Sequence, residues 1–158
     1  MIKLIDDHLE EGLLVFLLSL MSLLIGAQVF MRYVMHDSLT WSEELARYCF
    51  IWATYIGVSY GVKRKAHICV TALSERLPSR GRHYLNIFAY LVFGVFALLV
   101  MKEGYALSMK IFGFGQKSSS MGLPMGWIYM APTVGFALVL WRLAQEIVLE
   151  ARSLRQEG

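Results

Sequence analysis

Long apolar blocks separated by short polar segments dominate the pattern of residues along the chain. The blocks cover residues 12–31, 45–62, 84–104 and 121–142, and their charged residues occur only near the ends. About 20 helical residues cross a hydrocarbon core of roughly 30 Å, so each block is long enough to span a bilayer. The blocks lack the alternation of barrel strands, and we therefore predict four transmembrane helices joined by short connections.

Two of the connecting segments have patterns of their own. Val70, Leu73 and Leu77 fall on one helical face among polar residues, which predicts a short amphipathic helix over 68–77 on the cytoplasmic membrane surface. Residues 113–124 are rich in glycine and serine, and they are predicted to form a loop on the opposite side of the membrane.

Composition favours one all-α integral membrane domain over residues 1–158. Hydrophobic residues make up 57% of the chain and charged residues 17%, whereas soluble domains carry about 25% charged residues. Ten of the 15 Lys and Arg residues lie at the N-terminus, between helices 2 and 3 and at the C-terminal end, and five lie on the other side. The positive-inside rule then places both termini in the cytoplasm. The basic segment between helices 2 and 3 suits anionic phospholipid headgroups, and no nucleic-acid partner is expected.

The second block begins with a dense group of charges. Glu43 and Glu44 lie four and three residues before Arg47, so Arg47 can reach either acid on one helical face. Thr40 and Glu43 also fit the capping box S/T-x-x-E, which predicts that Thr40 caps the helix. An unpaired Arg at the bilayer centre costs roughly 2.5–3.5 kcal/mol. We therefore predict a structural ion cluster, or a contact with another protein, at the outer surface.

Further residues are predicted at the two membrane borders. At the outer border, Trp41 and Arg32 are predicted to anchor helix ends and to join the ion cluster, because aromatic rings and long cations favour that depth. At the cytoplasmic border, the predicted interfacial residues are His67, Lys63, Arg64 and Lys65.

Motifs that carry chemistry are missing from the sequence. No block has Asp, Glu, Lys or His at its centre, the four histidines lie in flanks or loops, and no C-x-x-C pair occurs. A proton-coupled exporter would need an ionisable mid-membrane group, and a haem-binding redox subunit would need facing histidines within its helices. We therefore predict no catalytic, cofactor-binding or metal-binding residues and expect a non-enzymatic subunit. The alternative is a small autonomous transporter or channel that works as a homo-oligomer.

Several motifs carry a family resemblance that extends over nearly the whole chain. They are Arg32-Tyr33, W-S-E-E-L-A-R-Y over 41–48, Gly57, Ala66-His67-Ile68, M-G-L-P-M-G-W-I-Y-M-A-P over 121–132, and Trp141-Arg142-Leu143. The combination of W-x-E-E-x-x-R-Y with a later G-L-P-x-x-x-x-Y resembles the small membrane subunit of tripartite ATP-independent periplasmic (TRAP) transporters, the DctQ-like family.

This resemblance implies a division of labour in the bacterial inner membrane. Such small subunits accompany a large multi-helix transport subunit, which carries the substrate and sodium sites, and a periplasmic substrate-binding protein. The small subunit is expected to hold the scaffold of the large one and to help dock the binding protein. The implied substrates are organic anions such as C4-dicarboxylates, sialic acids, keto acids or sulfonates. On the outer turns, the docking candidates are Asp37, Lys110 and Lys117.

Overall fold

Helices make up the regular secondary structure of the residues that the structure describes. The computed structural model describes residues 2–64 and 79–156, with side chains from 9 to 64 and from 83 to 153. The helices are α1 (Ile2–Tyr33), α2 (Thr40–Lys63), α3 (Ser79–Gly113), α4 (Gly126–Tyr129) and α5 (Ala131–Gln156). One isolated bridge, between Lys117 and Pro124, is the β-type contact found in those ranges. The all-α prediction is therefore confirmed for the described residues.

Two helical segments are long and apolar enough to cross a membrane, judged by length and composition. They are Leu9–Tyr33 in α1 and His83–Gly113 in α3. α1 begins at Ile2, ten residues before the predicted start at residue 12. α3 runs nine residues beyond the predicted end at residue 104, which adds about 14 Å of helix. The spans proposed for 45–62 and 121–142 stay predictions.

The fourth predicted span starts later in the structure than the sequence suggests. Residues 121–125 belong to the loop before α4, and the helix pauses at Met130 before it continues as α5. Gly122 has a left-handed backbone with φ of +67°, a conformation that glycine adopts without steric cost. Pro132 lies in the first turn of α5, where a missing N–H group removes no helical hydrogen bond.

The long helices lie in a row and do not close into a bundle. Within the described ranges, backbone contacts join α1 to α2, α2 to α5 and α5 to α3, and none joins α1 to α3, α1 to α5 or α2 to α3. Since the long helices alternate in direction, α1 ends and α2 begins at one end of the row, which we call the outer end. α2 ends and α3 begins at the opposite, inner end. A row leaves more apolar surface uncovered than a closed bundle does, and Leu23 in α1 and Phe88 in α3 are 72% and 64% exposed.

The apolar core lies along α5, between its contacts with α2 and with α3. It is formed by the buried side chains Val62, Ala97, Phe136, Val139 and Leu143. The helices approach closely beside it, because a methyl group added to Gly135 would lie 2.6 Å from the Cβ atom of Tyr55 and 2.8 Å from its carbonyl oxygen. Small residues at helix contacts allow backbones to pack at this distance in membrane proteins. The contact between α2 and α5 therefore depends on glycine at position 135.

Part of the predicted cytoplasmic surface lies outside the described residues. This applies to the amphipathic helix over 68–77 and to the interfacial residues Lys65 and His67. Lys63 and Arg64, at the end of α2, are described, and the Arg64 Nε atom donates a hydrogen bond of 2.9 Å to the Tyr60 hydroxyl. The Arg64 guanidinium also lies 5.2 Å from the centre of the Tyr60 ring, a cation–π geometry, and 3.7 Å from the Glu11 carboxylate.

Candidate functional site

The start of α2 at the outer end is built differently from the predicted capping box. Leu39 occupies the N-cap position, and no side chain caps the helix. Thr40 is already the first helical residue, one position too late to serve as the cap. Ser42 instead donates hydrogen bonds to the Leu39 carbonyl oxygen from its hydroxyl, at 2.8 Å, and from its backbone nitrogen, at 3.2 Å. The capping-box prediction is therefore wrong, since the local turn closes through Ser42.

Glu44 fastens the loop between α3 and α4 to α2. Its carboxylate accepts hydrogen bonds from the Tyr48 hydroxyl and from the backbone N–H groups of Ser120 and Met121, at 2.9 and 3.1 Å. The Tyr48 hydroxyl bond first, and then the two backbone bonds, hold the pKa of Glu44 below its ordinary value of 4.5. We call Glu44, Tyr48, Ser120 and Met121 the outer clasp.

The loop held by the outer clasp has internal order of its own. Ser118 and Leu123 exchange two hydrogen bonds: the Ser118 N–H donates to the Leu123 carbonyl at 2.8 Å, and the Ser118 hydroxyl accepts from the Leu123 N–H at 3.1 Å. The Met125 N–H donates to the Gln116 carbonyl at 2.9 Å. Residues 116–125 therefore form a short hairpin, and Gly115, with a left-handed backbone at φ of +63°, permits the turn that leads into it. The glycine- and serine-rich segment is therefore a folded outer surface.

Glu43 and Arg47 form the second part of the predicted ion cluster. The Arg47 guanidinium lies 3.4 Å from one oxygen of Glu43, and the Gln28 amide of α1 donates to the other oxygen at 3.2 Å. The Arg47 and Glu43 side chains are 65% and 55% exposed, so the attraction between them is worth only about 0–1 kcal/mol. Of the two acids that Arg47 could reach, the structure pairs it with Glu43. We call Glu43 and Arg47 the exposed pair.

The remaining outer residues singled out by the sequence are not gathered into this cluster. Arg32 lies in the last turn of α1, Trp41 in the first turn of α2, Asp37 between these helices, Lys110 near the end of α3, and Lys117 in the hairpin. All five are exposed. They remain candidates for a contact with another protein at the outer end.

A cavity of about 600 Å³ lies beside the exposed pair, between α2, the hairpin and the first turns of α4 and α5. Arg47 and Lys117 stand at its polar rim, and Phe50, Tyr55 and Pro132 line its apolar part. A smaller hollow between α1 and α2 also has Arg47 in its wall. Arg47 is therefore the side chain shared by the open surfaces on this face of α2.

A buried ionic cluster at the inner end was not predicted from the sequence. One oxygen of Glu10 accepts hydrogen bonds from the Ser59 hydroxyl at 2.8 Å and from Arg142 Nε at 3.0 Å. Arg142 also donates to the side-chain oxygen of Gln145 at 2.8 Å. Glu10, Ser59 and Arg142 are only 2%, 0% and 6% exposed. We call Glu10, Ser59, Arg142 and Gln145 the inner cluster.

The inner cluster joins helices that share no backbone contact. Glu10 lies on α1 and Arg142 on α5, and α2 separates the two helices and contributes Ser59. The sequence singled out neither Glu10 nor Arg142 as a site residue, and Arg142 was only counted among the Lys and Arg residues assigned to the cytoplasmic side. One signal was available: Glu10 lies 18 residues before Gln28, about five turns of helix, so both residues fall on the stripe of α1 that faces α2. Both polar residues of that stripe contact side chains of α2.

A second polar contact at the inner end ties α3 to α5. The Glu150 carboxylate of α5 contacts His83 Nδ1 and accepts a hydrogen bond of 3.1 Å from the Asn86 amide, both on α3. Glu150 is buried, and His83 and Asn86 are half-buried. The neighbouring helices of the row are therefore joined by polar side chains at this end.

These features define a helical membrane component whose polar contacts are collected at the two ends of its helices. Residues 21–153 match the family described as tripartite ATP-independent periplasmic transporters, DctQ component. The chain belongs to this family, which confirms the resemblance found in the sequence.

Three relatives show how the similarity is distributed. The chain is 36% identical over 95 residues to the C4-dicarboxylate TRAP transporter small permease protein DctQ of Vibrio cholerae. This alignment covers 60% of this chain and 41% of the relative. It is 25% identical over 149 residues to the sialic acid TRAP transporter small permease protein SiaQ of the same species, covering 93% and 84%. It is 28% identical over 154 residues to the isethionate TRAP transporter permease protein DctMQ of Oleidesulfovibrio alaskensis, covering 94% and 24%. The alignments thus span less than half of the first relative and about a quarter of the third.

Proposed function

We propose that this chain is the small membrane subunit of a sodium-dependent, binding-protein-dependent TRAP transporter in the bacterial inner membrane. Its four proposed spans form one membrane domain with both termini in the cytoplasm. The family match over residues 21–153 and the two apolar helical segments support this proposal. So does the excess of Lys and Arg on the side that we assign to the cytoplasm.

The arrangement of the helices in a row supports the proposed scaffold role. A closed bundle buries most of its apolar surface between its own helices. A row leaves a broad apolar face exposed, against which another set of helices can pack. α2 and α5 form the middle of the row and are fixed to each other through Gly135 and Tyr55. The row would therefore act as a stiff brace that keeps the scaffold of the large transport subunit still while its substrate-carrying part moves.

The DctMQ relative supports a partnership with a larger permease. Nearly the whole of this chain aligns with about a quarter of that single polypeptide. In that relative, the matched region shares one chain with a much longer remainder. We infer that a separate large subunit, with the substrate and sodium sites, supplies the equivalent part for this chain.

The outer end supports a docking role for the periplasmic binding protein. The outer clasp fixes the hairpin to α2, so Lys117 is held on a folded surface near the exposed pair. Asp37 and Lys110 are exposed at the same end. A surface that is ordered before docking loses less conformational freedom when a partner binds. We propose this surface as the part of the small subunit that the binding protein touches.

The proposed substrate is an organic anion carried by the large subunit. The relatives are named for C4-dicarboxylate, sialic acid and isethionate, which share a negative charge and little else. The inner cluster pairs its Arg142 with Glu10, so we do not assign a substrate role to it. The proposal therefore stays at the level of a substrate class.

Affinity purification tests the proposed partnership directly. The full chain, tagged at its C-terminus, is extracted from native membranes in a mild detergent, and the co-purifying polytopic proteins are identified by mass spectrometry. We expect one large multi-helix permease in equal amounts with the chain. Membranes from cells that lack the large permease serve as the control. Recovery of the chain alone, as a homo-oligomer, would favour an autonomous transporter or channel instead.

A further inference from the structure

The cavity beside Arg47 is polar at its rim, near the outer end, and apolar further along the helices. A molecule with a polar headgroup and an apolar tail would match this arrangement. Glu44, Arg47, Gln116 and Lys117 lie at the rim near the start of α2, and Phe50, Tyr55 and Pro132 lie further along the helices. From Arg47 to Tyr55, α2 rises by about 12 Å, and one leaflet of a hydrocarbon core is roughly 15 Å deep. The cavity therefore follows most of the depth of the outer leaflet if α2 crosses the membrane as proposed.

The cavity is accessible from the membrane side of α2. Phe50 and Thr54, one turn apart in its wall, are both exposed. The Thr54 hydroxyl donates to the Phe50 carbonyl at 2.8 Å, so its polar group is satisfied by its own helix and does not make this wall hydrophilic. A hydrocarbon chain could lie along this wall without covering an unpaired polar group.

Arg47 at the rim, and Glu43 beside it in the wall of the adjoining hollow, retain hydrogen-bonding capacity. A guanidinium has five N–H donors, and the contact with Glu43 engages one terminal nitrogen of Arg47. Each oxygen of Glu43 receives one described donor, from Arg47 or Gln28, although a carboxylate oxygen can accept two. Arg47 and Lys117 can thus hold a phosphate, while Glu43 can accept an ammonium group.

We propose that this cavity binds one zwitterionic phospholipid of the outer leaflet, with its phosphate on Arg47 and Lys117 and its ammonium group on Glu43. One acyl chain lies along Phe50, Thr54 and Tyr55. Glu43, which lies beside Arg47 in the adjoining hollow, favours a headgroup that also carries an ammonium group over a purely anionic one, and the apolar floor disfavours a free organic anion. The proposal rests on the membrane crossing of α2 in the proposed function.

Native mass spectrometry of the purified chain with its large subunit tests this site. The complex is exchanged into nanodiscs of phosphatidylethanolamine and phosphatidylglycerol, released, and weighed with its bound lipids. We expect one phosphatidylethanolamine retained per copy of the chain. Arg47→Gln removes the main phosphate donor, and Thr54→Trp fills the cavity. Arg47→Gln should lower the retained fraction by about tenfold, the effect of losing one charge-assisted contact, and Thr54→Trp should lower it because the acyl chain no longer fits.

Two matched variants control for nonspecific effects. Lys110→Gln removes an exposed outer cation that does not line the cavity, and Thr54→Ala leaves the cavity open. Both should retain lipid as the natural chain does. Equal lipid retention by Thr54→Trp, equal retention of phosphatidylglycerol, or capture of the large subunit in place of lipid by a photo-crosslinker at position 54 would each overturn the proposal.

The same spectra separate the two proposals. Loss of the lipid with the large subunit retained would count against the phospholipid site alone. Absence of the large subunit with the lipid retained would count against the proposed partnership alone.

Discussion

The two ends of the helix row use charge in opposite ways. At the outer end, the exposed pair lies on an open surface, with side chains that are more than half exposed. At the inner end, Glu10 and Arg142 are almost completely buried and meet at 3.0 Å. Water and salt screen the first pair and do not reach the second. The exposed pair is therefore available to a partner, and the inner cluster belongs to the fold.

The outer clasp stands between these two extremes. Glu44 neighbours Glu43 in the sequence, yet its carboxylate is directed toward the hairpin and accepts backbone hydrogen bonds from Ser120 and Met121. Two adjacent acids thus have separate roles, one in holding a loop and one on an open surface. The charged residues at the start of α2 therefore make two separate contacts, one between Glu44 and the hairpin and one between Glu43 and Arg47. The sequence had suggested a single cluster.

The largest effect is expected from removing the buried cation. Arg142→Met leaves the Glu10 carboxylate buried without its ionic partner, and losing one partner of a buried pair costs about 3–5 kcal/mol. The free energy of unfolding, measured by reversible denaturation with SDS in mixed micelles, should fall by this amount. Arg152→Met, on an exposed position of the same helix, is the control. Equal losses for the two variants would contradict a structural role for the inner cluster.

A smaller effect is expected from the hydroxyl group of the inner cluster. Ser59→Ala removes the hydrogen bond to Glu10 without changing the ion pair, and hydrogen bonds to charged groups contribute about 1.5–3 kcal/mol. The same denaturation measurement should show this loss. Ser19→Ala, at an exposed position of α1, should change little. If Ser59→Ala is as harmless as its control, the hydroxyl does not stabilise the cluster.

The next effect is local to the hairpin. Glu44→Gln weakens the outer clasp, because a neutral amide oxygen accepts backbone hydrogen bonds less strongly than a carboxylate does. Hydrogen exchange at the Ser120 and Met121 amides should become several-fold faster, with the helices unchanged. Glu103→Gln, on the exposed outer part of α3, provides the control. Unchanged exchange at both amides would show that Glu44 does not fasten the loop.

Low pH should weaken the outer clasp in the natural chain, because protonation of Glu44 weakens the hydrogen bonds that its carboxylate accepts. Since hydrogen bonds from Tyr48 and the backbone lower the pKa of Glu44 in the folded state, its stabilising contribution is fully present above the ordinary pKa of 4.5. It is lost as the pH falls through the lower native value. Exchange at the Ser120 and Met121 amides, corrected for intrinsic pH dependence, should rise in that acidic range only in chains that carry Glu44. The same rise in Glu44→Gln would assign it to another group.

The smallest effect on stability is expected at the exposed pair. Glu43→Arg and Arg47→Glu should each change the free energy of unfolding of the isolated chain by less than about 1 kcal/mol. If the pair contacts the large subunit, each reversal should lower co-purification and the double reversal should restore part of it. A double variant that rescues nothing would show that the pairing itself is not the relevant interaction.

The helical regions followed from the sequence because they rest on local composition. The apolar blocks at residues 12–31 and 84–104 lie within α1 and α3, since about 20 apolar residues are a sufficient signal for a long helix. The end of α3 and the start of the last helix were displaced, because continuation past Gly104 to Gly113 and the turn at Gly122 depend on residue-level geometry. Composition identifies a helix more reliably than it identifies the ends.

The polar contacts could be predicted only where both partners are close in the sequence. The exposed pair follows from the spacing of Glu43 and Arg47 on one helix. The bond from Glu44 to Ser120 joins residues 76 positions apart, and the one from Arg142 to Glu10 joins residues 132 apart. Such long separations in the sequence do not indicate which helices lie next to each other in the row. That order comes from packing over the whole chain.

Uptake into liposomes tests the central claim that the row of helices supports transport without carrying it out. The chain is reconstituted alone, and also with its large subunit and binding protein, and uptake of a radiolabelled organic anion is followed under a sodium gradient. We predict uptake only when all three components are present. Uptake by the chain alone would contradict the account and assign transport to these helices themselves.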